Sequence, residues 1–291
     1  MVLSLSGCFT GIESTKKITS RDVKKQHATT TPEMAYTADL TPDPVEQWAP
    51  GKIFKVTSDR ISLITSPADV SSNLMPGNYL SFIGFSPIAS MTGVDDTLVL
   101  LSSEKGDTIM YRVQEPIEQL MQRSSLEIPF TIEMSVVDKA RSLLKGNEYY
   151  ITTPVWFNEN GDNITGLKLI PVHVDDVTAG NEIYPIAIQF TDPRGVHSRV
   201  FMSVGTGRRS TRNFDTLFSL SNPRERYKDI NDDMWKSITH SRVKIDMTPQ
   251  ECRLAVGNPR EVSRGHYLER WQYDNGLILF FDDGRLQSIR Y

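Results

Sequence analysis

The stretch Val243-Lys244-Ile245-Asp246-Met247-Thr248-Pro249-Gln250-Glu251-Cys252-Arg253-Leu254-Ala255-Val256-Gly257-Asn258-Pro259 carries a helix with both of its ends marked. Thr248 is placed to cap the first turn, and Glu251, three residues on, completes a capping box. Pro249 takes the first helical position, where a missing N–H does no harm. Met247 and Cys252 can meet across the cap as a hydrophobic staple. Gly257 supplies a left-handed end and Pro259 prevents continuation. Working outward, Ile230, Met234, Trp235 and Ile238 fall on one helical face, with Asn231 or Asp232 placed to cap it. Downstream, Tyr267, Trp271 and Tyr273 share one strand face. Asn275-Gly276 is a strong hairpin turn, residues 277–281 are a second strand, Asp282-Asp283-Gly284 turns again, and residues 285–291 close a sheet. The predicted order is helix, helix, then a three-stranded meander.

These residues resemble the SmpA/OmlA, or BamE-like, family of outer-membrane assembly lipoproteins. The matching elements are Met247-Thr248, Val256-Gly257-Asn258-Pro259, Trp271-Gln272-Tyr273 and Phe281-Asp282-Asp283-Gly284. The family usually has glycine before the Met-Thr pair. Here it is Asp246, and aspartate tolerates a left-handed backbone better than most residues. The resemblance covers about a fifth of the chain and implies an α+β fold. It says little of function, because one fold hosts many roles.

Upstream, from Pro50, short apolar strands alternate with Gly, Pro and Asp turns. Gly51-Lys52-Ile53-Phe54-Lys55-Val56-Thr57 opens one module and Gly146-Asn147-Glu148-Tyr149-Tyr150-Ile151-Thr152 opens another in the same pattern. Residues 80–85 match 169–174, and 98–101 match 186–190. The turn at 104–107 is answered by Asp192-Pro193-Arg194-Gly195. The pattern is an internal repeat of a unit of roughly 60 residues. About five strands in such a unit suit a small closed barrel, which leaves no edge exposed. The order resembles bacterial SH3-like barrels, which implies binding of peptides or cell-wall material. Between the modules, Val136, Val137, Ala140, Leu143 and Leu144 make one apolar helical stripe, stopped near Gly146.

The amino-terminal Leu5-Ser6-Gly7-Cys8 resembles a bacterial lipobox, which implies acylation of Cys8 and a membrane anchor without a spanning helix. Seven residues precede Cys8, fewer than a complete signal has. Residues 9–48 are rich in Thr, Ser, Lys and Asp and read as a flexible polar tether. The expected organisation is therefore lipobox 1–8, tether 9–48, first SH3-like module 49–133, helix plus second module 134–214, and BamE-like domain 215–291. The fold class is mainly β with an α+β carboxy-terminal domain.

Bulk composition narrows the function. Of 291 residues, 38% are hydrophobic and 23% charged, which is ample for folded cores. The net charge of −4 gives no basic excess for nucleic acid. No apolar run approaches the roughly 20 residues of a membrane span. The two cysteines, Cys8 and Cys252, sit in unrelated settings, and the five histidines show no metal-ligand spacing. The carboxylate pairs Asp95-Asp96, Asp175-Asp176, Asp232-Asp233 and Asp282-Asp283 read as caps and turns, and residues 158–163 as a hairpin turn rather than a calcium loop. Gly205-Thr206-Gly207-Arg208-Arg209-Ser210-Thr211-Arg212 is the one candidate anion- or partner-binding loop, through Arg208, Arg209 and Arg212. No catalytic residue, metal or cofactor is expected. The leading expectation is a lipid-anchored envelope protein, at the outer membrane facing the periplasm, that binds or scaffolds envelope proteins. The alternatives are a cell-wall binder acting through the barrels and, remotely, an enzyme with carboxylates in an inter-domain cleft.

Overall fold

Period-two burial along most of the longer strands builds three antiparallel sheets, each over its own apolar core. The computed structural model describes residues 30–90, 93–204, 212–265 and 268–291. The protein is mainly β, and residues 32–291 form one compact unit.

The first sheet contains β1 (Ile53–Val56), β2 (Thr65–Ser66), β3 (Tyr79–Ile88), β4 (Asp96–Ser103), β5 (Thr108–Val113) and β6 (Thr131–Glu133), in the order β2-β5-β4-β3-β1-β6. The second contains β7 (Glu148–Ile151), β8 (Val155–Phe157), β9 (Asn163–Thr165), β10 (Ile170–Ala179), β11 (Ile186–Thr191), β12 (His197–Met202) and β13 (Phe218–Ser219), in the order β13-β7-β10-β11-β12-β8-β9. Reversed, the second order repeats the first: β8 answers β2, β12 answers β5, β11 answers β4, β10 answers β3, β7 answers β1 and β13 answers β6.

The correspondence extends to single hydrogen bonds. Gly51 N–H donates to Phe82 O at 2.8 Å and Gly146 N–H to Val174 O at 2.8 Å. The Phe82 N–H returns to Lys52 O and the Val174 N–H to Asn147 O. A bulge follows each of these residues, between Phe82 and Gly84 in one module and between Val174 and Asp176 in the other. Such a bulge bends a long strand. The β4–β5 and β11–β12 hairpins close through the same pair of bonds, with Gly106 and Gly195 both left-handed, at φ of 88° and 81°. In this register Leu80 corresponds to Val172 rather than to Leu169, so the sequence alignment of β3 with β10 slips by three residues.

Helix α1 (Pro32–Tyr36) precedes the first sheet, and α2 (Met134–Leu144) joins the two modules, burying Val136, Val137, Ala140 and Leu144. The folded body begins earlier than composition predicts. Leu40, Val45 and Trp48 are buried, Leu40 in the second core and the others in the first. A Thr-rich segment hides these few apolar residues from a compositional reading. Likewise residues 214–219 complete the second sheet rather than opening the last domain, because β13 pairs with β7.

The last sheet comprises β14 (Glu261–Arg264), β15 (Glu269–Gln272), β16 (Ile278–Asp282) and β17 (Arg285–Arg290) in sequential order. It packs on α3 (Asp232–Thr239) and α4 (Pro249–Val256) through Trp271, Leu279, Phe281 and Leu286. The ends of α3 and α4 follow the predicted chemistry. Asn231 accepts from Met234 N–H, Thr248 and Glu251 form a reciprocal capping box, and Gly257 has φ 85°. Asp246, where the resembling family has glycine, has φ 76°. The sheet has four strands instead of three. β14 is exposed at every position, so no alternation announces it.

Candidate functional site

Helix α2 packs on β10 of the second module, whose core takes Val136, Ala140 and Leu144, and touches β1 of the first. Between the modules lies a groove of about 500 Å³. Its walls are residues 125–128 and β6 from the first module, Val136 from α2, and residues 182–185 with Ser203 and Val204 from the second. The floor is apolar, and Ile183 on the hairpin tip is 75% exposed. The lining holds three carboxylates (Glu127, Glu133 and Glu182) and no lysine, arginine or histidine.

Two of those carboxylates are already engaged. Glu182 receives both of its bonds from one Arg60 nitrogen, at 2.7 and 2.9 Å, and this exposed pair straps one module to the other. The Arg60 guanidinium also lies 4.8 Å from the Phe130 ring centroid. Glu133 accepts from Lys52 at 2.7 Å, and Lys52 also reaches Asp43 at 2.5 Å and Ser135 at 3.1 Å. Burial would raise the Asp43 carboxyl. Hydrogen bonds from Lys139, Lys52 and Ser135 outweigh it and hold Asp43 well below the usual carboxylate range. Glu127 has no ion-pair partner among the described residues.

β6 is the terminal strand of its sheet, so the first module is open at this edge and is not the closed, edge-free barrel that the strand count suggests. Phe54 spends its backbone groups on β3, since Val56 N–H donates to Asn78 O and Phe82 N–H to Lys52 O on either side of it. Thr57 N–H donates to Phe130 O, so Phe130 and Ile132 face β1, and Thr131 and Glu133 face away. Thr131 N–H is taken by Ile128 O, while Glu133 N–H has no acceptor among the described residues.

Of the residues singled out from the sequence, Cys8, Arg208 and Arg209 lie outside the described residues, as does Tyr267. Arg212 is turned onto the second module. Its Nε donates to Phe201 O at 2.9 Å, its guanidinium lies near the Phe157 and Tyr184 rings, and burial lowers its pKa. Tyr184 lines the groove, and Val204, the last described residue before the glycine-arginine segment, lines it too.

The carboxylate pairs face cations or turns, not each other. Asp96 meets Arg112, Asp176 meets Arg141 and Lys145, Asp232 meets Arg224 and Asp233 meets Lys244. Asp175 and Asp176 sit at the β10 bulge rather than in a turn, because the bulge accommodates both within a long strand. Residues 158–162 form the β8–β9 hairpin turn. Thr191 donates to Asp175 at 2.7 Å and touches His197 Nδ1 at 2.8 Å. That hydroxyl proton is committed to the carboxylate, and the ring is largely in solvent, so no activated nucleophile results. Among the described residues no cluster of three or more His, Cys, Asp or Glu could hold a metal ion, and no helix is long and apolar enough to cross a membrane.

Cys252 is fully buried in α4, and burial, reinforced by Glu251, pushes its thiol up to about 12. A thiol so raised is a packing group. The folded protein is expected to leave Cys252 unlabelled by Ellman's reagent at pH 8, with stoichiometric labelling in denaturant. Rapid labelling in the native state would contradict the burial.

The groove itself was not legible in the sequence, since its lining comes from five separated stretches: Pro42, Phe54, residues 125–136, residues 182–185 and residues 203–204. A scan of family profiles, a search of curated proteins and a search of solved structures each returned no match for this chain.

Proposed function

We propose that this chain is a non-catalytic binding or scaffolding protein of the bacterial cell envelope, lipid-anchored at Cys8 and facing the periplasm at the outer membrane. The observation that carries the binding reading is the groove between the modules. It combines an apolar floor, an exposed isoleucine and a terminal strand whose Glu133 N–H lacks an acceptor. Those features suit strand addition by a partner segment.

The two modules are read as SH3-like barrels. Their order, a meander whose last strand returns beside the first around one core, supports that reading. The BamE-like reading of residues 220–291 is supported by the Thr248–Glu251 capping box, the left-handed backbone at Asp246 and the Trp271–Phe281 contact at 4.7 Å. The envelope address rests on Leu5-Ser6-Gly7-Cys8, the polar tether that follows it and the BamE-like resemblance.

The test is affinity purification of the tagged full-length gene product from crosslinked envelopes, with mass spectrometry of the amino-terminal peptide. Recovery of a defined set of periplasmic or outer-membrane proteins, with an acylated Cys8, is the expected result. Muropeptides in place of proteins would transfer the function to cell-wall binding. An unmodified peptide that retains Met1 would remove the anchor.

A further inference from the structure

The internal duplication indicates what the groove is for. In the second module the position equivalent to β6 is β13, and Leu220 stands where Glu133 stands in the first. That position is covered by the chain itself. Glu33, on α1, accepts the Leu220 N–H at 3.1 Å. Tyr36, from the same helix, lies against Tyr149, the counterpart of Phe54, with their hydroxyls 2.8 Å apart. Leu40 completes the cover by entering the core. In the first module Phe54 and β6 face the groove with Pro42 beside them; Asp43 N–H reaches the Glu133 carboxylate, but no described segment takes the Glu133 N–H.

We propose that this groove receives an extended segment of a partner protein, paired to the β6 edge and carrying alternate large apolar and basic side chains. The inference rests on the binding-protein reading above and specifies its partner. The edge sets the backbone requirement: a carbonyl of the incoming segment accepts the Glu133 N–H, as the Glu33 carboxylate accepts that of Leu220. A carboxylate cannot serve in the first module, because Glu127 and Glu133 line the same space. The floor sets the apolar requirement, with Ile128, Val136, Ile183 and Val204 available to side chains on one face of the incoming strand. The charge sets the basic requirement. Of the three carboxylates in the lining, Glu133 and Glu182 already have Lys52 and Arg60, and Glu127, with no cation of its own among the described residues, is the acidic position that a basic side chain matches. A strand alternates its side chains between faces, so apolar groups can enter the floor while lysines or arginines lie along the acidic rim.

The probe is a fluorescein-labelled peptide of eight residues alternating Lys with Phe and Val, titrated into the full-length protein and followed by anisotropy. The controls are the same peptide with Glu for Lys, and one N-methylated at alternate backbone nitrogens. The Lys peptide is expected to bind at least tenfold more tightly than either control. Ile183→Asp and Glu127→Lys are expected to weaken it at least tenfold with unchanged circular dichroism; both residues are exposed, so neither change disturbs a core. Binding that ignores both variants, or no binding of the Lys peptide, would overturn the proposal. So would competition by muropeptides, or a concentration-dependent dimer that Ile183→Asp abolishes, since either assigns the groove to another occupant. Repeating the envelope purification with Ile183→Asp separates the two readings. Partners retained by the variant leave the binding-protein reading standing and remove the groove from it, whereas partners absent even with the unaltered chain remove the binding-protein reading itself.

Discussion

Replacing Lys52 with methionine is expected to lower stability by about 3–5 kcal/mol at neutral pH, the loss that follows when a buried ion network keeps its anions and loses its cation. The Lys52 and Glu133 side chains are only 7% and 9% exposed. Asp43 N–H also donates to Glu133, at 3.0 Å, and the single Ser135 hydroxyl lies 2.7 Å from Asp43 and 2.6 Å from Glu133, so it donates to one of them at a time. Methionine keeps the length and apolar stem of lysine, including its place beside the Trp48 ring, so the substitution removes charge rather than volume. What remains is Glu133 and Asp43 sharing one hydroxyl, with Lys139, at 2.7 Å from Asp43, the one cation among the described residues to balance them. The pH dependence separates charge from packing. A depressed carboxylate pKa contributes stability that is present above the unfolded value, 3.8 for Asp43, and lost as pH falls towards the folded value. In the variant the hydrogen bond and charge of Lys52 no longer hold the Asp43 carboxyl down, and protonating it relieves the repulsion, so the deficit should shrink between pH 7 and pH 4. Urea midpoints of both proteins across that range are the measurement. A deficit that stays constant would show that the network contributes packing and not charge.

This network also marks where sequence reading stops. Elements set by neighbours in the chain were legible. The Thr248–Glu251 box depends on residues three apart, the Asn275-Gly276 turn on adjacent ones, and the α2 stripe on a 3.6-residue period. The duplication was legible as order and spacing, but not its register. β3 and β10 each contain a bulge, and the bulge breaks the alternation by which strands are aligned. Lys52, Asp43 and Glu133 carry no local signal at all. They converge because β1 pairs with β6 and because residues 40–48 fold back into the body, which period and propensity do not encode. The equivalent of Lys52 in the second module is Asn147, so even the repeat gave no hint of an ion site. The groove has the same origin: each wall reads as an ordinary loop or strand until two modules are set on one helix.

The second large effect lies where the second module meets the carboxy-terminal domain. Lys168 precedes β10, and its backbone N–H donates to Thr239 O at 3.0 Å, at the end of α3. Its side chain is buried, and Nζ donates to Ala255 O at 2.6 Å, in the last turn of α4. Leu169, left-handed at φ 57°, follows it into the third core. A cation at a helix carboxy-terminus satisfies a carbonyl that has no partner within the helix. No carboxylate forms an ion pair with it among the described residues, and burial lowers the amine from 10.5 to about 8. The unfolded chain therefore holds this proton more tightly than the folded one. The penalty of burying the charge is fully present below about pH 8 and fades as pH rises towards 10.5. Stability should climb by roughly 2–3 kcal/mol between pH 7 and pH 10 relative to Lys168→Met, which has no proton to lose. Comparing the two proteins cancels the tyrosines. Tyr273 in the same core is pushed up to about 12, first by burial and then by Cys252, so it stays protonated through the window in both. Urea titrations of the pair at pH 7, 8, 9 and 10 give the test. Parallel curves would mean that Lys168 keeps its proton through the window when folded, as a well-solvated amine does. Converging curves, with the methionine variant ahead at pH 7, would mean that the joint between the second module and the last domain carries an uncompensated charge under ordinary conditions. That joint would then tighten with alkalinity, and the docking of the last domain on the second module would depend on pH through a single amine.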